Sequence, residues 1–128
     1  MNKKRKTIFI EGPIAPDFIS NSIAKHQSKT DIGAHSIFLG QVRADEIDGK
    51  KVKGIEYSSY TEMAEKNLHE LREDTFRKFN LTCMHIYHSL GLVKTGEISL
   101  FVFVSSPHRK ASFDASEYLV NELKAKAP

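Results

Sequence analysis

The sequence predicts an α+β domain in which helices cover a mixed or antiparallel sheet. Two hydrophobic patterns alternate along its 128 residues: short apolar runs typical of strands, and longer stretches with apolar residues at helical spacing. In chain order they give β-α-β-β-α-β-β-α, and adjacent strands without a helix between them favour antiparallel pairing. This length predicts a single domain over residues 1–128.

The first three elements are a strand, a helix and a second strand. Residues 6–12, KTIFIEG, predict a short strand, and residues 16–27 predict a helix that Pro16-Asp17 begins. The run GAHSIFLGQVR, residues 33–43, is apolar at consecutive positions, which is typical of a strand buried on both faces.

A polar turn and a returning strand follow. Asp48-Gly49 is a hairpin signal. Residues 52–60 are therefore expected to return as the next strand, with Gly54 as a candidate bulge.

Residues 61–79 predict the clearest helix, and Ser59 with Glu62 matches a capping box at its start. One side of this helix carries a stripe of small and apolar residues, with Glu and Lys opposite. The stripe consists of Ala64, Leu68, Leu71, Thr75 and Phe79.

The C-terminal part predicts two strands and a helix. Residues 81–91 form a strand, Thr95-Gly96 centres a turn, and residues 98–106 form a central strand because they are almost continuously apolar. Residues 109–126 form the last helix. Its core-facing residues are Ala115, Leu119 and Leu123.

Composition narrows the class of protein. The net charge is only +3, and the basic run at residues 3–6 exceeds it, so the remainder is near neutral and does not suit a general nucleic-acid binder. We expect residues 1–6 to form a solvated, flexible terminus. The single cysteine, Cys83, excludes an intrachain disulfide and indicates a reducing, cytoplasmic compartment.

No membrane segment is expected. The apolar run Ile8–Ile10 is shorter than the roughly 7–15 residues of a signal-peptide core. Nowhere does the chain approach the roughly 20 apolar residues that span a bilayer.

The histidines and the cysteine do not show the spacing of a metal site. His85 and His88 are three positions apart on a predicted strand and should point to opposite faces. His26, His35 and His69 have no partner at ligand spacing, which favours structural or surface histidines over zinc. Cys83 lies mid-strand, which favours a small buried side chain over a nucleophile.

The remaining chemical signal is positive charge at the ends of elements. Arg43 closes a predicted strand, and His108, Arg109 and Lys110 open the last helix. Lys124 and Lys126 lie near that helix's end, where the dipole favours cations. Cations at a helix start are unfavourable unless an anion binds there. Arg109, the Ser hydroxyls and the free N–H groups therefore indicate one of two alternatives: a site for a phosphate-bearing small ligand, or ordinary solvated cations.

Several motifs resemble a known family. The segments EYSSYTEMAEK and VSSPHRKASFDASEYLVNELK, with GQVR upstream, resemble the large, catalytic subunit of molybdopterin synthase from about residue 5 onward. The resemblance implies an α/β hammerhead fold. It also implies a sulfurtransferase of molybdenum cofactor biosynthesis, acting on a cyclic pyranopterin monophosphate without a metal or other cofactor.

The resemblance also implies partners and site residues. The sulfur donor is the C-terminal thiocarboxylate of a small ubiquitin-like sulfur-carrier subunit, and the large subunit forms a homodimer; neither nucleic acid nor membrane takes part. Carried over by motif, Lys124 is the catalytic lysine and His108 and Arg109 hold the substrate phosphate. Arg43 also contacts substrate, with Gln41 and Val42 beside it.

Two departures from the family keep an alternative open. The family continues past the final proline with an aromatic pair and a second lysine, whereas this sequence ends at Pro128. It also favours HRxG where residues 88–91 read HSLG. A non-catalytic or truncated module that binds a phosphorylated ligand or a ubiquitin-like tail is the alternative.

Helix geometry adds a prediction of its own. Arg109 and Lys124 are 15 residues apart on one predicted helix, about 22 Å at 1.5 Å per residue. Two side chains of one subunit cannot meet a small ligand across that gap. The sequence therefore predicts a composite pocket, with Lys124 from one subunit and His108 and Arg109 from its twin.

Overall fold

A computed structural model describes residues 9–51, 53–57 and 61–126 of the chain. The predictions for the basic residues 1–6 and for Ser59 as a capping residue lie outside the described residues. In chain order the elements are β1 (Phe9–Glu11), α1 (Pro16–His26), β2 (Ala34–Gln41), β3 (Glu46–Ile47), β4 (Lys50–Lys51), β5 (Gly54–Tyr57), α2 (Thr61–Lys78), β6 (Cys83–Lys94), β7 (Ile98–Ser106) and α3 (Arg109–Lys126).

Five strands form one mixed sheet, which confirms the predicted α+β class. The sheet order is β1-β6-β7-β2, and β5 also pairs with β6. β1 runs parallel to β6, while the β2–β7, β5–β6 and β6–β7 pairs are antiparallel. β7 is central, as predicted, because β6 and β2 flank it.

Alternate side chains of β7 divide the core into two layers. Leu100, Val102 and Val104 pack with buried residues of α2, α3 and β6, whereas Phe101 and Phe103 pack beneath α1 with Ile14. This follows from the two-residue period of a strand. Burying a side chain of this kind contributes about 1.5–3 kcal/mol, so β7 anchors helices on both faces.

The helices α2 and α3 match their predicted stripes. In α2, Leu71 and Thr75 are buried, and in α3 the predicted residues Ala115, Leu119 and Leu123 all belong to the core. α3 packs against β2 and β7. It therefore returns across the sheet, antiparallel to the strand that precedes it.

The predicted returning strand over residues 52–60 is wrong in its partner; of the described residues in that range, Gly54–Tyr57 form β5. Asp48 and Gly49, both with positive φ, do form a hairpin turn, but it joins only the two-residue strands β3 and β4. β5 then pairs with the far end of β6. This is possible because β6 continues to Lys94, beyond the predicted end at residue 91.

Two glycine predictions also change. The register of β5 from Gly54 onward is regular, so Gly54 is not a bulge; instead, a Cβ there would lie 2.8 Å from the Val93 carbonyl oxygen. The register shift occurs between Gly40 and Gln41, near the end of β2.

β2 is not buried on both faces, contrary to the prediction. Its residues alternate between half-buried and exposed, and Ile37 and Leu39 are 38% and 42% exposed. Among the described residues β2 is an end strand of the sheet, with α3 against only one of its faces. The continuous apolar run therefore leaves two large side chains in solvent.

Candidate functional site

At the end of β2, two exposed polar residues flank the buried Val42. Val42 is 3% exposed, and its N–H donates to the Glu97 carbonyl at 3.0 Å, while its carbonyl accepts from the Gly96 N–H at 2.9 Å. These bonds fix the chain against the β6–β7 turn. Gln41 and Arg43 on either side are exposed, so Val42 has a positioning role and its neighbours offer polar groups.

Arg43 holds a carboxylate in a two-pronged contact. Its Nε lies 3.0 Å from Asp45 Oδ1, and its Nη2 donates to Asp45 Oδ2 at 3.2 Å. The Arg43 side chain is 85% exposed, and a pair of this kind contributes only about 0–1 kcal/mol. An anionic ligand can therefore replace Asp45 on the guanidinium at little cost.

The start of α3 carries three exposed basic residues, His108, Arg109 and Lys110. The first turn of α3 contains no acidic residue, and one turn further on Asp114 pairs with Lys110 at 3.0 Å. The positive end of the helix dipole and the Arg109 guanidinium thus attract an anion together. An arrangement of this kind binds anions such as phosphate.

The turn before α3 is held in place by backbone contacts. Ser106 is fully buried and its hydroxyl donates to the His108 carbonyl at 2.5 Å. On the other side, the Gly33 N–H donates to the Ser106 carbonyl at 3.0 Å. A Cβ on Gly33 would overlap the Pro107 carbonyl oxygen, so only glycine lets β2 begin this close to the turn.

Lys124 lies in the last turn of α3 and is exposed. α3 begins just after the end of β7 and packs back along β7 and β2, so its last turn lies toward the start of β7. Leu100 lies near the start of β7, at the end of the sheet where β2 finishes. Lys124 is therefore at the same end of the domain as Arg43.

The predicted site residues consequently form two groups at opposite ends of one protomer. Ala34 pairs with Ser106 and Gln41 pairs with Ile98, so β2 separates its two ends by about 23 Å at 3.3 Å per residue. We call the group of Gln41, Val42, Arg43 and Lys124 the lysine end, and the group of His108, Arg109 and Lys110 the helix-start end. α3 runs from Arg109 to Lys126, as the composite-pocket prediction requires.

A cluster of His26, Cys83 and His85 escaped the prediction from sequence. Their ligand atoms lie within 4.8 Å of one another, although His26 is more than 50 residues away from the others in the chain. The alternation of Cys83 and His85 on one strand was the available signal. His85 and His88 do lie apart, as predicted. The His85 ring stacks on Tyr87 and meets His26 edge to face, whereas the His88 ring meets Phe9 and Tyr57 edge to face.

His35 borders this cluster. Its Nδ1 lies 2.7 Å from the Ser105 hydroxyl. Burial, and then the proximity of His26, lower the pKa of His35. Protonation of the His35 imidazole is therefore disfavoured.

No helix among the described residues is long and apolar enough to cross a membrane.

Comparisons with known proteins agree on one family. The family model described as MoaE protein matches residues 13–126. The human molybdopterin synthase catalytic subunit is 41% identical over 96 residues, 75% of this chain and 50% of that protein. The Pyrococcus abyssi protein of the same name is 34% identical over 125 residues, 98% of this chain and 82% of that protein.

A solved structure agrees with these relatives. The crystal structure of molybdopterin synthase from Staphylococcus aureus superposes with a TM-score of 0.78 at 29% identity, covering 94% of this chain and 84% of that one. The chain spans about half the length of the human relative, and most of the length of the archaeal one.

Proposed function

The chain belongs to the MoaE protein family, as the match over residues 13–126 establishes, and from this membership we propose that it is the catalytic subunit of a molybdopterin synthase. It converts a cyclic pyranopterin monophosphate to the dithiolene of molybdopterin. Each sulfur comes from the C-terminal thiocarboxylate of a small ubiquitin-like carrier. The family match carries this proposal, and the shared name of the human and archaeal relatives supports it.

The residues of the lysine end and the helix-start end take different roles. His108 and Arg109, at the positive end of α3, bind the substrate phosphate. Arg43 exchanges its contact with Asp45 for the substrate. The thiocarboxylate sulfur attacks a carbon of the substrate and displaces an oxygen, which leaves the carrier joined to the substrate through a thioester. The Lys124 ammonium stabilises the negative charge on the departing oxygen and gives it a proton. Water then hydrolyses the thioester, so the sulfur stays on the substrate and the carrier leaves as its carboxylate.

The active site is composite, formed by two copies of the chain. No single protomer can bring Arg109 and Lys124 to one small ligand, because α3 holds them about 22 Å apart. A two-fold axis beside the middle of β2 would bring Arg109 of one copy close to Lys124 of the other. Antiparallel pairing of two β2 strands places the start of one strand beside the end of the other. The helix-start end of one protomer then faces the lysine end of its partner.

The exposed surface of β2 suits this pairing. Ile37 and Leu39 lie on its uncovered face, and the only strand that β2 pairs with among the described residues is β7. An edge strand with free backbone groups and exposed apolar side chains is a ready surface for association. The dimer therefore uses the strand that the prediction expected to be buried on both faces.

The proposed compartment is the cytoplasm. Cys83 is a free, buried thiol, which fits a reducing environment. Thiocarboxylate chemistry also requires a compartment in which sulfur stays reduced.

The test of this function is product formation with purified components. Wild-type protein, thiocarboxylated carrier and the cyclic pterin should yield dithiolene, whereas Lys124→Ala should lower the rate by about 10²–10⁴-fold while still binding the carrier. Lys66→Ala is the matched control, because Lys66 is an exposed lysine on α2 and its removal should leave the rate unchanged. Binding of carrier and pterin by the wild type without any product would contradict the proposal.

A further inference from the structure

We propose that His26, Cys83 and His85 form a binding site for a divalent metal of borderline softness, with Zn²⁺ as the natural occupant. The proposal does not depend on the sulfur-transfer function. The three side chains join the C-terminal end of α1 to the first residues of β6. They lie on the face of the sheet opposite α3, away from Arg43 and Lys124.

The distance between the two imidazoles is close to that in a metal site. His26 Nε2 and His85 Nε2 are 3.0 Å apart. Two nitrogens bound to tetrahedral zinc at about 2.0–2.1 Å are about 3.3 Å apart. An outward movement of only a few tenths of an ångström would therefore admit the metal between them.

The Cys83 sulfur completes a mixed donor set. All three ligand atoms lie within 4.8 Å of one another, and a nitrogen and a sulfur on tetrahedral zinc are about 3.6 Å apart. The present distances therefore exceed the zinc-bound ones by at most about 1.2 Å, which small rotations of the side chains can remove. One thiolate with two imidazoles is a donor set that suits zinc, and three protein ligands leave the fourth position for water.

The hydrogen bonds of His26 fix which of its ring nitrogens faces the cluster. Its Nδ1 lies 2.7 Å from the Ser22 carbonyl oxygen, and because a carbonyl only accepts, Nδ1 carries the proton. Nε2 then presents its lone pair toward His85. A histidine whose outer nitrogen is held by a backbone carbonyl is the usual arrangement of a metal ligand.

The surroundings fix the cluster yet leave an approach from solvent. His26 and Cys83 are 8% and 7% exposed, and the Phe103 ring packs against both imidazoles. His85 is only half-buried. The exposed Lys29 donates to Cys83 Sγ at 2.9 Å, where its charge offsets that of a thiolate and where it can move aside as a metal enters.

Cobalt substitution tests the site directly. Titration of the full-length, metal-free chain with Co²⁺ should show saturation at one equivalent, with the intense visible bands of tetrahedral cobalt and a thiolate-to-cobalt charge-transfer band. Zn²⁺ should displace the cobalt and raise the Tm, because it binds the folded state and releases the thiol proton.

The variants separate the proposed ligands from other histidines. Cys83→Ser should remove the charge-transfer band, and His26→Gln should weaken Co²⁺ binding at least 10-fold. His69→Gln is the matched control, since His69 is exposed on α2 and paired with Glu73; it should bind like the wild type. Circular dichroism of each variant verifies that it is folded.

Two results would overturn the site. One is the absence of saturable Co²⁺ binding to the folded wild type at micromolar concentrations. The other is tetrahedral cobalt bands that survive in a folded Cys83→Ser or His26→Gln variant with unchanged affinity.

Discussion

Subunit mixing gives the sharpest test of the composite site. Arg109→Ala alone should lower activity about 10- to 150-fold, because a hydrogen bond to a charged group is worth about 1.5–3 kcal/mol, and Lys124→Ala should lower it further. When the two inactive variants exchange subunits at equal concentration, about half of the dimers are mixed. Each mixed dimer has one intact site and one doubly defective site, so about one quarter of wild-type activity should return.

The structure supplies a matched control for this experiment. Arg43 and Lys124 lie at the same end of the protomer, so Arg43→Ala mixed with Lys124→Ala cannot create an intact site. That mixture should stay inactive, whereas Arg43→Ala mixed with Arg109→Ala should recover like the first pair. The assay is the initial rate of dithiolene formation, with differently tagged subunits used to measure exchange.

The pattern of recovery decides between a composite and a single-protomer site. If exchange is complete and Arg109→Ala with Lys124→Ala gives no recovery, the composite site is refuted. Recovery by the Arg43→Ala and Lys124→Ala pair would instead refute the assignment of those two residues to one end.

Three further predictions concern the scaffold. Gly33→Ala should lower the free energy of unfolding by about 1–3 kcal/mol, because the new Cβ overlaps a carbonyl oxygen of the turn before α3; an unchanged urea midpoint would argue against that contact. Leu119→Ala should lower the free energy of unfolding by about 2–5 kcal/mol, because Leu119 is fully buried. Phe113 is 61% exposed, so Phe113→Ala should change that free energy by no more than about 0.5 kcal/mol. Equal urea midpoints for the two variants would contradict the packing. A hydrogen bond from Arg77 lowers the pKa of Asp74 below its ordinary value of 3.8. The ionised Asp74 therefore stabilises the folded state above that pH, and this stabilisation is lost as the pH falls through the lower folded-state pKa. Arg77→Ala should weaken the pH dependence of the free energy of unfolding, measured by urea titration in acid, and an unaltered dependence would exclude the pair as its source.

Features confined to one element were predictable from the sequence. α3 begins at Arg109 and ends at Lys126 as predicted, since the 3.6-residue period and the Ser-Pro before it are local signals. The partner of β5 was not predictable. Choosing it requires knowing that β6 extends to Lys94, and strand pairing between distant segments leaves no mark in either segment alone.

The error over β2 has a physical explanation. A continuous apolar run indicates that both faces of a strand are buried, but hydropathy does not say whether the covering surface belongs to the same chain. In one protomer Ile37 and Leu39 remain 38% and 42% exposed. A second copy across β2 would bury them, so the run is consistent with the assembly proposed above.

Site residues that belong to local motifs were predictable from the sequence, whereas those brought together by folding were not. Motifs at Arg43, His108-Arg109 and Lys124 are each local, whereas His26, Cys83 and His85 meet only because α1 folds over β6. Folding also changes the electrostatic problem at the start of α3. Cations there oppose the helix dipole, and in the composite dimer Arg43 and Lys124 of the partner add further positive charge. In the proposed dimer, a phosphate together with a thiocarboxylate would therefore offset positive charge from both halves of the pocket.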